Sequence, residues 1–530
     1  MDRKTAFTEL INNGYSCKGD NIVLGAAMLD GEPVPGAQVK IPTKTLNRHG
    51  LIAGATGTGK TKTLQVLSEQ LSEKGIPVLL MDVKGDLSGI AKPGEPKPFI
   101  LERHAKIALP YETKSYPVEL MTLSSQDGVR LRATVSEFGP VLLSRILDLN
   151  DTQAGVLAVI FKYCDDNKLA LLDLKDLKKV IQFVTEEGKE ELEQSYGKIS
   201  TSTTGIITRK ILELEQQGAE AFFGELSFDI KDLLRRDRNG YGYISIMRLT
   251  DIQDKPKLFS TFMLSLLAEI YGTMPEKGDA EKPELVIFVD EAHLIFSQAS
   301  KTLLEQIENI VKLIRSKGIG VYFVTQNPTD IPNGVLAQLG LKVQHALRAF
   351  TAVDRKAIKL TAENYPDSEY YKTDETITSL GIGEALVTAL SEKGIPTPLA
   401  ATMLRTPQSR MDILTPGEIS EINRSSDLVR KYSQEVDRDS AYEILGRKIE
   451  DIEERERREA DEADREKRER ESGRWGDRES GRRSERERYP QRSYSGRKTG
   501  NSPQKQVVKV LTSATFIRGV FGVLSKVLKK

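Results

Sequence analysis

The sequence predicts an α/β fold, a mostly parallel sheet flanked by helices. Three observations predict it. Residues 78–83 (VLLMDV), 285–289 (LVIFV) and 320–325 (GVYFVT) are apolar without alternation, as strands buried on both faces are. Stretches with helical apolar spacing stand between these runs. Gly54 to Thr61 reads G-A-T-G-T-G-K-T, which fits the phosphate-binding loop pattern Gly-x-x-x-x-Gly-Lys-Thr between a strand and a helix.

In chain order, residues 1–48 make a short N-terminal segment. A strand is expected over 21–27 and a turn over 31–36, where two prolines and two glycines fall together. Leu51-Ile52-Ala53 is the strand entering the glycine-rich loop and 61–73 the helix leaving it. With 78–83 they form a β-α-β unit of ordinary length. Residues 97–240 interrupt the pattern: strands at 118–123 and 130–135, then helices at 141–147, 152–165, 174–185 and 206–217, a mainly helical insertion. The sheet resumes with a strand at 243–248 and a helix at 257–271. After the 285–289 strand comes a helix at 303–316 with Leu303, Ile307, Ile310, Val311 and Ile314 along one face. The 320–325 strand follows, then weaker strand signals at 342–347 and 384–390. The core is therefore expected over 49–96 and 241–415, with a C-terminal helical region over 416–449.

Beyond residue 450 the composition changes. Residues 450–488 are dominated by Glu and Arg, and 453–470 fits either an isolated charged helix or a solvated, disordered segment. Residues 489–504 are rich in Ser, Arg, Gly and Pro, so 450–505 reads as a charged, flexible linker. An amphipathic helix is expected over 506–530, with Phe516, Val520, Val523 and Val527 on its apolar stripe and Arg518, Lys526, Lys529 and Lys530 adding positive charge. Docking on a protein surface is the favoured reading of that end, and lying on an anionic membrane surface is the other.

A chain of 530 residues suffices for two or three domains. Lys+Arg and Asp+Glu number 77 each, and zero net charge neither supports nor excludes a nucleic-acid partner, because local patches decide. Cys17 and Cys164 lack metal-type spacing and suit a reducing compartment. The polar N-terminus has no signal-peptide core, and no window reaches the ~18 apolar residues of a membrane span. A cytoplasmic protein without an integral membrane segment is expected.

The candidate nucleotide-binding residues are Gly54, Ala55, Thr56, Gly57, Thr58, Gly59, Lys60, Thr61 and Lys62. The glycines let backbone N–H groups converge on phosphate oxygens. The helix start adds the positive end of its dipole. Lys60 can reach the β- and γ-phosphates and the Thr61 hydroxyl can hold Mg²⁺, so ATP and Mg²⁺ are the expected cofactors. Leu285 to His293 reads L-V-I-F-V-D-E-A-H. Asp290 ends this strand at the edge where ligands bind in parallel sheets, and is the candidate Mg²⁺ ligand. Glu291 is the candidate base for an attacking water. Gln326, ending the 320–325 strand, is placed to sense the γ-phosphate or orient that water; the alternative is a strand-end amide in a turn. A cation from outside would complete such a site, and Arg315, Arg348 and Arg355 are candidates, each otherwise an ordinary surface arginine.

These parts in this order resemble the HerA–FtsK superfamily of RecA-like ATPases, closest to its bacterial HerA-like helicase group. The resemblance covers about residues 20–415. It is carried by H-G-L-I-A-G from His49 into the loop, D-V-K-G-D-L from Asp82, D-E-A-H from Asp290, R-S-K-G-I-G-V from Arg315, and T-Q-N-P from Thr325. It implies a RecA-like core in a homo-hexameric ring, ATP sites between subunits, and translocation of duplex DNA. Position by position it gives Lys60 and Thr61 to nucleotide and Mg²⁺, Asp290 to Mg²⁺, Glu291 to the base and Gln326 to the sensor. Arg315 resembles the arginine acting across the interface, with Arg348 as runner-up. The N-terminal β-barrel of archaeal members is not carried over, since 48 residues are too few for one. A ring motor on DNA is thus the expected function. A nucleotide-gated scaffold for a protein partner, a nuclease or another, is the alternative. A small-molecule kinase is the third reading, and the pairing of Glu291 with Gln326 argues instead for water as acceptor.

Overall fold

The computed structural model describes residues 2–476 apart from 125, 254, 279, 299, 300, 435 and 437, with backbone alone for 256, 257, 297, 298, 301–303 and 469–476. The expected linker at 489–504 and amphipathic end at 506–530 lie outside the described residues. Twelve strands are described: β1 (Asn21–Leu29), β2 (Glu32–Pro42), β3 (Gly50–Ala53), β4 (Val78–Asp82), β5 (Val118–Thr122), β6 (Val129–Arg130), β7 (Ile244–Arg248), β8 (Leu285–Val289), β9 (Ile319–Thr325), β10 (Leu341–Gln344), β11 (Glu384–Thr388) and β12 (Ala400–Leu404). They form one sheet in the order β2-β1-β12-β11-β10-β3-β9-β8-β4-β7-β5-β6. From β10 to β6 the pairing is parallel. From β10 outward through β11, β12, β1 and β2 it is antiparallel.

The apolar runs form the parallel centre because both of its faces are covered. Every residue of β3, β4, β8 and β9 is buried. On one face, Ile52, Leu80, Val286, Phe288, Tyr322 and Val324 take alternate positions, as the two-residue period of a strand requires. Leu64, Leu67 and Leu71 of the Lys60–Glu73 helix join the same cluster. Burying such a leucine contributes about 2 kcal/mol.

The sheet is wider than the sequence reading. β2 occupies a stretch read partly as a turn, and β12 was not foreseen. The expected strand at 130–135 shortens to the two residues of β6. Past it the chain makes a single bridge from Ala133 to Phe223, and a helix begins at Val135. That helix, Val135–Ile146, breaks at Gly139 (φ 66°) before Pro140, which cannot donate into a helical ladder.

The chain divides into two compact units. The first comprises residues 1–134, 145–148 and 212–436 and holds the whole sheet; the second comprises 135–144, 149–211 and 437 onward. In the second, Leu174–Thr185 starts with a capping box at Asp173 and Asp176. Asp176 also accepts the Tyr442 N–H at 2.8 Å, tying in the start of the long Ala441–Gly476 helix. No described helix is long and apolar enough to cross a membrane.

Candidate nucleotide-binding site

The glycine-rich loop leaves β3 at the C-terminal edge of the parallel strands. Gly54, Gly57 and Gly59 have φ of 154°, 79° and 114°, a region costly for residues with a Cβ. Gly54 is also sterically required, since a Cβ there would lie 2.5 Å from the His345 Cβ, and a Cβ on Gly59 would sit tightly, 3.2 Å from the Gly383 nitrogen. The loop is anchored at both ends. Ala55 N–H donates to Ala346 O (2.9 Å), Gly383 N–H donates to Thr58 O (2.9 Å), and the Thr58 hydroxyl donates to Ala55 O (2.7 Å). Gly59 ends in the left-handed region, and the helix begins at Lys60, where the first N–H groups have no intrahelical acceptor.

Lys60 is buried and folded across its own loop, donating to Gly54 O at 2.7 Å and Ala55 O at 3.2 Å. Burial, and next the Lys84 ammonium, pull its pKa below the usual lysine value. Behind the loop, His345 is fully buried with Nε2 2.9 Å from the Thr63 hydroxyl; burial and then Lys60 push its pKa down to about 4.

The sheet brings the acidic motif alongside. β9 lies between β3 and β8, so Asp290 and Glu291, just past β8, share an edge with the loop. Asp290 is 4% exposed. Its Oδ1 accepts the Glu291 N–H at 2.9 Å, while its buried Oδ2 has no hydrogen-bond partner among the described residues. Burial, then the neighbouring Glu291 charge, raise the Asp290 pKa to about 7. A buried carboxylate oxygen without a partner, beside a loop of backbone donors, fits a hard divalent cation accompanying a phosphate. The donor set therefore fits Mg-ATP, and Asp290 and Thr61 are the residues that would hold the metal. Glu291 has two side-chain neighbours: Lys84 Nζ pairs with Oε1, and His293 Nδ1 stands 3.1 Å from Oε2.

The other expected residues are placed as follows. Gln326 is exposed at the end of β9, between the two motifs. The Lys62 side chain turns to Met411 O (2.6 Å) and Gln65 (3.3 Å), which leaves its backbone as its contribution to the loop. Arg315 lies in a short turn ahead of β9, at the edge opposite its own loop. Arg348 lies on the loop's own edge, two residues past Ala346, and donates to Thr378 O at 2.9 Å. Arg355 is exposed on the Ala352–Ala362 helix.

Two contributors were not assigned a role from sequence. Lys84 follows β4 inside D-V-K-G-D-L, a string whose chemistry is not apparent until β4 is seen beside β8. Arg103, on the Pro98–Lys106 helix, donates to Gly383 O (3.1 Å), Leu404 O (3.3 Å) and Ile382 O (2.8 Å), and so braces the turn that holds Thr58. No local pattern marks it.

The family model described as Helicase HerA-like C-terminal matches residues 28–529. A DNA double-strand break repair helicase HerA of Sulfurisphaera tokodaii is 22% identical over 370 residues, covering 66% of this chain and 64% of that protein. The protein of the same description from Sulfolobus acidocaldarius is 22% identical over 357 residues, with the same coverage. The match thus spans less than two-thirds of the length of these relatives. Among solved structures, the bacterial conjugative coupling protein TrwB, in an unbound form, aligns with a TM-score of 0.51 at 16% identity, over 77% of this chain and 95% of that one; this is a likeness of fold. With the loop, the acidic strand end and a family match over nearly the whole sequence, the chain belongs to the HerA-like C-terminal helicase family, within the HerA–FtsK superfamily of P-loop proteins.

Proposed function

We propose that this protein is a ring motor, hexameric by its resemblance, that hydrolyses Mg-ATP at subunit interfaces and moves duplex DNA. One observation carries the interface reading: Arg315 stands at the N-terminal edge of the parallel strands and the loop at the C-terminal edge. Strand β9 alone, at ~3.3 Å per residue, separates them by roughly 20 Å. Such an arginine serves a neighbour's site and not its own, which is the role of an arginine finger.

In the proposed reaction, water attacks the γ-phosphorus while its proton passes to the Glu291 carboxylate. The bond from that phosphorus to the β–γ bridging oxygen breaks, and ADP and phosphate leave. Gln326 orients the water from the end of β9, and Lys60 with the loop N–H groups holds the phosphates. Mg²⁺ bound through Thr61 and Asp290 would neutralise charge on the phosphate oxygens. The DNA reading is supported by the relatives, described as DNA repair helicases. Arg355, Lys356 and Lys359, exposed on one helix past β10, are the residues we assign to phosphate-backbone contact.

The test is ATP turnover of the full chain with and without duplex DNA, alongside its mass by light scattering with Mg-ATP. Stimulation by DNA in a particle near six subunits is expected. Turnover indifferent to DNA would overturn the motor and favour the nucleotide-gated scaffold.

A further inference from the structure

The turn after β4 brings a second lysine into the hydrolytic site. Asp82 closes that turn, its carboxylate accepting the N–H groups of Gly85 (2.7 Å), Asp86 (3.2 Å) and Leu87 (3.1 Å). The Val83 carbonyl accepts a hydrogen bond from the Gln253 side chain, which fixes the turn from the β7 side. Lys84 therefore rises from a rigid base beside β8, and its ammonium pairs with Glu291. That ammonium also repels Lys60 and attracts Asp290, so it acts on the loop lysine as well as on the acidic pair.

While Lys84 is paired with Glu291 Oε1, that oxygen is engaged by an ammonium and not by a water. The Lys84 side chain is 39% exposed and its stem is flexible, so the ammonium can move without unfolding the turn. A terminal phosphate carries about two negative charges against one on Glu291 and competes for the same cation. ADP carries that terminal charge on its β-phosphate, one phosphate deeper in the loop, and leaves the pair in place.

We propose that Lys84 discriminates triphosphate from diphosphate, holding Glu291 idle until a γ-phosphate draws its ammonium away. This deepens the proposed function and rests on Glu291 as the base. Lys84 is then a switch on the base as well as a phosphate ligand.

The test is calorimetric titration of the full chain with Mg-ADP and with a non-hydrolysable Mg-ATP analogue. Lys84→Met should weaken the analogue by about tenfold and leave ADP within about twofold, since one charge-assisted bond is lost for the analogue alone. Lys84→Arg should retain most of the selectivity. Glu291→Gln should tighten the analogue several-fold by releasing Lys84, and that gain should vanish in the Lys84→Met/Glu291→Gln double variant. Equal weakening of both nucleotides by Lys84→Met would mark a structural role and overturn the proposal, as would a gain that survives in the double variant. These are binding measurements, so they stand apart from the base assignment. Native-rate hydrolysis by Glu291→Gln would sink that assignment by itself.

Discussion

Glu291 is a non-glycine residue at φ 48°, a conformation such side chains seldom adopt and one that clusters at functional sites. Its own N–H on Asp290 Oδ1 and the Ala292 N–H on Val324 O (2.9 Å) hold it there. Because backbone contacts fix the position, Glu291→Gln should keep the fold and bind ATP while phosphate release falls by at least about 100-fold. Lys60→Ala should abolish turnover. Phosphate release and analogue binding, measured together, check both. His49 shows a second, structural use of strict residue chemistry. Buried at φ 56°, it accepts the Val321 N–H at Nδ1 (3.0 Å), while Nε2–H donates to Val311 O (2.8 Å). Protonation would set two N–H groups against each other, and burial, with Arg315 adding repulsion, lowers its pKa from 6.5 to about 4. A depressed histidine pKa stabilises the fold fully above pH 6.5 and loses that contribution as pH falls toward 4, up to about 3 kcal/mol. Asparagine tolerates positive φ. The gap in urea stability between the protein and His49→Asn should therefore narrow from pH 7.5 to pH 5; an unchanged gap would refute this account.

At the scale of elements, the brace under the loop was hidden from the sequence while the loop itself was plain. Arg103 holds two carbonyls, Ile382 O and Gly383 O, of the turn whose Gly383 N–H holds Thr58, and a third, Leu404 O, at the end of β12. Arg103→Ala should lower analogue affinity several-fold and the melting temperature by a few degrees. Lysine should not restore it, since a point charge cannot span three acceptors. Unchanged affinity in a thermal-shift and titration pair would remove Arg103 from the site. The legible elements were those whose local chemistry matches their burial. β4, β8 and β9 are continuous apolar runs, and the loop needs its glycines where they stand. β2 was not legible because Pro33, Pro35 and Gly36 interrupt it, and those residues are tolerated at a sheet edge, where β2 pairs with β1 alone. β12, Ala400–Leu404, is small-residue sequence made a strand by β1 on one side and β11 on the other. Lys84 and Arg103 act through neighbours distant in the chain, a kind of information that a single sequence does not carry.

At the scale of the molecule, the sheet separates the two halves of the proposed reaction. One edge carries Lys60, Asp290, Glu291 and Gln326, and the opposite edge carries Arg315. A ring in which each arginine edge meets the next loop edge joins them, and complementation tests that geometry directly. Arg315→Ala should assemble like the native chain and hydrolyse slowly, and Glu291→Gln should assemble and not hydrolyse. In an equal random mixture, an interface is active when the intact base of an Arg315→Ala subunit meets the intact arginine of a Glu291→Gln neighbour. That occurs at about a quarter of interfaces, so turnover should recover toward a quarter of native if sites act independently. Arg348, on the loop's own edge, is the built-in control. If it acts within its own subunit, mixing Arg348→Ala with Glu291→Gln restores no more than Arg348→Ala supplies alone. Recovery with Arg348→Ala and none with Arg315→Ala would assign the finger to the other arginine and reverse which edges meet.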